Sequence, residues 1–147
     1  MRELTVNPSE IHPVQQVIRL DALRRYVPKI VNEGYTPIPG IELDGKIVIG
    51  DGHHTSSGLF LLSNQIHVNV FETDREVRDC KKGCFCNYLS MDQVTNGFRD
   101  HLDDLSCFGI YEIGDIYVYP GNVSEKELKR LKQLSLRELL EGYQSPN

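Results

Sequence analysis

The amino-acid sequence predicts an α+β domain, a small mixed sheet with helices, and three observations carry that prediction. Runs rich in β-formers and segments of helical period alternate irregularly along the 147 residues, so neither type dominates. Strong turn signals, above all Asp44-Gly45 and Gly50-Asp51-Gly52, separate them. The length suits one domain with one core. A single unit over residues 1–147 is expected, with a compact N-terminal module to about Asp74 and a C-terminal elaboration, 75–147, packed on it.

Taken in order, Thr5-Val6 ends a strand, and Pro8 and Pro13 bracket a turn. From Val14 to Val31, apolar residues recur at three- and four-residue steps, which predicts an amphipathic helix. Asp21 is a cap for a second helical piece, Pro28 a break or kink, and Gly34 the stop. Pro37–Leu43 and Lys46–Ile49 read as strands joined by the Asp44-Gly45 hairpin turn. A short buried helix follows from Thr55 to near Asn64, then an alternating strand at Ile66–Phe71. Beyond a charged stretch, Arg75–Lys82, a helix is expected around Ser90–Asp104 and two short strands around Gly114-Asp115. A last helix opens with the capping box Ser124…Glu127, carries a leucine stripe and ends at Gly142.

Charge narrows the function. A net charge of −5 and a pI near 5.5 argue against a module held by duplex phosphates. No apolar run approaches the roughly 20 residues that span a bilayer, and the first residues lack a signal peptide's apolar core, so the cytoplasm is the expected location. Cys80, Cys84, Cys86 and Cys107 are then reduced thiols. Their spacing is poor for structural zinc, because Cys84 and Cys86 are only two apart; no metal site is assigned.

The segment that carries chemistry is Asp51-Gly52-His53-His54-Thr55-Ser56, where a strand meets a helix. The first amides of a helix have no intrahelical acceptor and sit at the positive end of its dipole. Gly52 allows positive φ and close approach of an oxyanion; Thr55 and Ser56 add hydroxyl donors. His53 and His54 can donate to an anion or exchange a proton near neutral pH. Asp51 would repel a bare phosphate, and suits a general base, a Mg²⁺ ligand or an orienter of a histidine.

In order and spacing, Val6-Asn7-Pro8 through Pro13-Val14-Gln15, then Gly34-Tyr35-Thr36-Pro37-Ile38, then Asp51-Gly52-His53-His54, the chain resembles the ParB-like/sulfiredoxin-like superfamily over about residues 4–72. The resemblance implies that fold for the first half. It also implies nucleotide phosphates (ATP, ADP or CTP, with Mg²⁺) at Gly52, His53, His54, Thr55 and Ser56. Three departures stand out. His53 replaces sulfiredoxin's catalytic cysteine, Thr55 replaces the usual arginine that clamps phosphate, and Gln15 stands where the free-serine kinases have glutamate. Glu10 is the carboxylate nearest to Gln15's role, and the catalytic candidates are Asp51, His54 and Glu10, with His12 and Gln15 lining the pocket. Nothing after Asp74 reads as a helix-turn-helix, so DNA is not an expected partner.

The expected function is a phosphotransferase or phosphohydrolase acting on a nucleotide or small phosphorylated molecule. A non-catalytic nucleotide-sensing or protein-interaction domain is the alternative, and a ParB-like nuclease, as in relatives that also read His-His-Thr, the third. His67, in an alternating strand, is a cross-strand or surface residue. Tyr111, Tyr117 and Tyr119 belong to a half-buried sheet surface, and a homodimer through the last helix is the oligomer considered.

Overall fold

A computed structural model describes residues 1–121, 126 and 134–144. It is α+β. Arg2–Val6 (β1) leads through a short turn to Ile11–His12 (β2), and Val17–Arg19 (β3) runs directly into the helix Leu20–Glu33 (α1). Ile38–Leu43 (β4) and Lys46–Ile49 (β5) form the hairpin, followed by helix His53–Leu61 (α2) and strand Ile66–Val70 (β6). Helices Asp74–Asp79 (α3) and Met91–Ser106 (α4) come next, then strand Tyr117–Tyr119 (β7), strand Leu134–Ser135 (β8) and helix Leu136–Gln144 (α5).

Two mixed sheets result. The larger has the order β1-β6-β4-β5-β2, with β6 parallel to β4 and β5 parallel to β2, the other pairs antiparallel. Its hairpin turns at Asp44 (φ 52°) and Gly45 (φ 79°), both left-handed as a tight two-residue turn demands. On β1 and β6 the expected cross-strand partner of His67 is Thr5, whose Oγ1 lies 2.9 Å from the ring Nδ1. The smaller sheet has β7 between β3, parallel to it, and β8, antiparallel.

The period-two alternation of β5 sorts the core into two layers. Ile47 and Ile49 join the cluster built with Leu23 and Ile30 of α1, Leu59 of α2 and Leu136 of α5. Val48 faces the other cluster, with Val77 of α3, Val94 and Phe98 of α4, and Phe85. Phe85 sits between Phe71 and Phe98 at ring-centroid distances of 5.0 and 5.4 Å, both edge-on. Val77, Phe85, Val94 and Phe98, from beyond Asp74, thus complete a layer of core whose other side is Val14, Ile41, Leu43, Val48 and Phe71. Burying each such ring contributes about 1.5–3 kcal/mol.

Several expectations are corrected. The helix expected from Val14 starts at Leu20, because Val17–Arg19 pairs with Tyr117–Tyr119; β-branched Val17 and Ile18 suit a strand, and Ile18 is fully buried there. Pro28 neither breaks nor ends α1 but lies exposed inside it, a position that costs about 3 kcal/mol relative to alanine and is tolerated against the burial of Ala22, Leu23 and Ile30. Gly34 does stop α1, at φ 75°. The charged stretch contains α3, started by a capping box: Thr73 Oγ1 accepts from the Glu76 amide at 3.2 Å, and Glu76 accepts from the Thr73 amide at 3.1 Å. Around Gly114-Asp115 there is a single strand, β7, preceded by a 3₁₀ turn at Ile113–Asp115 that Arg137 clasps through Glu112 and Asp115. Where one last helix was expected, Leu134–Ser135 is a strand, and Gly142 lies inside α5. The capping box at Ser124 and Glu127 lies outside the described residues.

Candidate functional site

Strand β5 delivers the chain to Gly50, whose carbonyl accepts from the Cys84 amide at 2.8 Å. Gly52 then takes a left-handed conformation (φ 75°, ψ 27°) and turns the chain into α2. The first α-helical bond there runs from the Ser56 amide to the Gly52 carbonyl, 2.8 Å. The amides of His53, His54 and Thr55 thus precede the helical ladder, and the N-cap residue, Gly52, has no side chain to cap them.

The two histidines of this turn have different surroundings. His53 is 5 % exposed, and its Nε2 accepts from the Val14 amide at 3.1 Å, which puts the proton of the neutral ring on Nδ1. Its carbonyl accepts from Ser57 Oγ at 2.6 Å. Burial, helped by neighbouring His54, holds its pKa down to about 3. His53 is therefore a neutral acceptor that ties the loop before β3 to α2, with its Nε2 already engaged. His54 is half-buried and stacks on Tyr26 of α1, ring centroids 5.5 Å apart at 22°. Its Nε2 is buried with no hydrogen-bond partner among the described residues. Burial lowers its pKa; the charges of Arg19 and Arg25 act in the same direction, and Asp21 opposes them. Ser56 is 0 % exposed, and its Oγ is likewise without a partner among the described residues.

Asp51 is half-buried, and the backbone at Gly83 lies against it: a Cβ built on Gly83 (φ 55°) would meet Asp51 Oδ1 at 2.8 Å. The neighbouring Cys84 thiol is pushed up by burial, then by the charges of Cys86 and Asp51. Among the described residues no hydrogen bond or ion pair engages the Asp51 carboxylate.

The remaining sequence candidates have local partners. Glu10 accepts from the Asn7 amide at 3.2 Å within the 3₁₀ turn Pro8–Glu10. Gln15 donates from Nε2 to the Val17 carbonyl, 2.6 Å away. His12, on β2, is lowered in pKa by burial, an effect its hydrogen bond to the Tyr111 backbone opposes; Lys46 and Glu112 act more weakly. The structure brings His53, His54, Thr55 and Ser56 together on one turn. Among the described residues, no hydrogen bond or ion pair links Glu10 or His12 to that turn.

What sequence reasoning missed is the contribution of α1 and of Arg19, the last residue of β3. Tyr26 stacks on the His54 ring because α1 packs along α2, and the charges of Arg19, Asp21 and Arg25 act on that ring. The only local signal was Asp21 and Arg25 at helical i, i+4 spacing, which does not say what the face meets.

Two cavities lie elsewhere. One of about 560 Å³ is apolar and lined by Leu23, Val27, Pro28, Leu61, Leu62 and Leu139; another of about 510 Å³ involves Tyr35, Asn64, Gln65 and His67. The residues of the first turn of α2 line neither of these two cavities. The four cysteines are free thiols, and among the described residues no group of three or more His, Cys, Asp or Glu side chains is placed to hold a metal ion. Among the described residues, no helix is long and apolar enough to cross a membrane. Compared with protein-family models, with curated proteins and with solved structures, the chain matches none.

Proposed function

We propose that this chain is a phosphate-binding domain of ParB-like type, which takes a nucleotide (ATP, ADP or CTP) or another phosphorylated small molecule on the first turn of α2. One observation carries the reading: two polar atoms of the first turn, His54 Nε2 and Ser56 Oγ, are buried without partners among the described residues, at a helix end whose first three amides precede the helical ladder. Buried polar atoms without partners cost about 1–3 kcal/mol each, and a ligand oxygen that engages them recovers that cost. The helix end adds a positive field and free N–H donors. Cytoplasmic location suits such a ligand.

Turnover, as a phosphotransferase or phosphohydrolase, is proposed on Asp51. It stands one residue before the left-handed Gly52, unpaired among the described residues, where a carboxylate can take a proton from an attacking hydroxyl or water. Mg²⁺ would come with the nucleotide, since ions of this kind are commonly held by one carboxylate and the phosphates themselves.

Thermal-shift titration with ATP, ADP and CTP, with and without Mg²⁺, tests the reading. A ligand at 100 times its dissociation constant stabilises by about 2.7 kcal/mol. Absence of binding to all of them at millimolar concentration removes the proposal. Binding without hydrolysis or transfer assigns the non-catalytic sensing role instead, and turnover that survives Asp51→Asn removes Asp51 as the base.

A further inference from the structure

We infer that the apolar cavity between α1, the end of α2 and α5 is a binding site for a free aliphatic carboxylate of the medium-chain fatty-acid kind, with Arg24 holding the carboxylate. It is a site separate from the phosphate turn. Leu20, Leu23, Arg24, Val27 and Pro28 all line the cavity, and steps of three and four residues put them on one stripe of α1. Such a stripe ordinarily closes onto neighbouring helices. Here Leu23 is buried, whereas Leu20 and Val27 are only half-buried. Leu61 and Leu62 from the end of α2, and Leu139 and Leu140 from α5, are half-buried too and form the facing walls. The hollow of about 560 Å³ falls within the roughly 300–1,000 Å³ of small-molecule sites.

The lining specifies the ligand. Apart from Arg24, every lining residue is leucine, valine or proline. No aromatic ring is there to stack on a base, and no hydroxyl, amide or carboxyl side chain to engage a sugar or an amine. Pro28 has no backbone N–H, so its backbone adds no donor. A proline inside a helix goes against local preference, and departures of that kind gather at functional sites. The body of the occupant is therefore aliphatic. Charge complementarity sets its head. Arg24 is exposed and has no ion pair or hydrogen bond among the described residues. Its stem can lie along the apolar wall while the guanidinium offers paired N–H donors to two carboxylate oxygens. The chain as a whole carries −5, so an anion is drawn here by this residue and not by a general field.

The test is calorimetric titration of the whole chain with octanoate, below the concentration at which it forms micelles, and with 1-octanol as its uncharged counterpart. The wild type should bind octanoate about tenfold more tightly than octanol, the margin of a charge-assisted contact. Arg24→Gln should erase that margin, weakening octanoate about tenfold and leaving octanol unchanged. Arg25→Gln replaces the next exposed arginine, which does not line the cavity, and should change neither affinity. Leu140→Trp, at a position outside both core clusters, should fill the hollow and abolish binding of both probes while the chain melts with the wild type. Absence of octanoate binding at millimolar concentration, equal wild-type affinity for octanoate and octanol, or equal losses in Arg24→Gln and Arg25→Gln would overturn the assignment. Capture by phosphatidylglycerol vesicles with no affinity for octanoate would overturn it too, by making this face a membrane contact. Should Leu140→Trp fold poorly, the comparison of Arg24→Gln with Arg25→Gln decides alone.

Discussion

The backbone amide of Val14 donates to Nε2 of His53 across 3.1 Å, joining points 39 residues apart in the chain. The bond turns what reads as a phosphate-binding imidazole into a bracket between the loop before β3 and the first residue of α2. It requires a neutral ring, because a protonated Nε2 would face another N–H donor.

That requirement sets a pH dependence. His53 has its folded pKa lowered to about 3, so the folded state takes up its proton less readily than the unfolded chain, whose histidines titrate near 6.5. The stability this neutral ring allows is complete above about pH 6.5 and is lost as pH falls toward the folded value, by up to about 1.4 kcal/mol per pH unit. His12 and His54, also lowered, act with the same sign. Urea unfolding at pH 7 and pH 5 should show lower stability at pH 5. His53→Gln, which keeps an acceptor but cannot titrate, should show a smaller difference; an equal difference would place the pH dependence elsewhere.

Gly52→Ala should cost about 1–3 kcal/mol of stability. Its φ of 75° is unfavourable for any side chain, and a Cβ there would come within 3.2 Å of Ile38 Cγ1 and Cγ2. Denaturant midpoints compared with wild type measure this, and an unchanged midpoint would mean that the left-handed turn is not kept in solution.

Ser56→Ala separates binding from folding. Its hydroxyl is buried without a partner among the described residues, so removing it should leave stability unchanged or raise it by about 1 kcal/mol. Phosphate affinity should fall at the same time. A variant that loses stability would show the hydroxyl to be satisfied within the fold.

Gly50→Ala probes the join between β5 and the second core layer. A Cβ at Gly50 would lie 2.6 Å from Phe85 Cε2 and 2.7 Å from Phe98 Cζ, both rings fully buried. Overpacking of this kind costs about 1–3 kcal/mol, and denaturant unfolding followed by tyrosine fluorescence should report it.

Much of the fold was legible because local chemistry and tertiary context agreed. Asp44-Gly45 demanded a left-handed turn and made one. Gly34 and Ser90 mark their helix ends as capping rules require, with Ser90 Oγ accepting from the Gln93 amide at 3.1 Å. Legibility failed where long-range pairing overrode local period. Val14, Val17 and Ile18 fit a helical stripe, yet the strand Tyr117–Tyr119 takes up Val17–Arg19 as its parallel neighbour. At the candidate site, the glycine bend and helix start could be read from Gly52 and Thr55. The different environments of His53 and His54 could not, since Val14 meets one and Tyr26 the other only after folding.

The parallel pairing of β3 with β7 has a temporal consequence. Arg19 lies opposite Tyr119 in that ladder, and Gly121 just beyond it sits so near Asp21 that a Cβ there would be 2.6 Å from the carboxylate. Contacts between such distant stretches form slowly, because a long loop must close before they reward it. A nascent chain can therefore complete the hairpin and α2 well before β7 emerges to settle the start of α1. Arg19 and Asp21, whose charges act on His54, are thus settled late, and their final placement waits on the synthesis of β7 and Gly121.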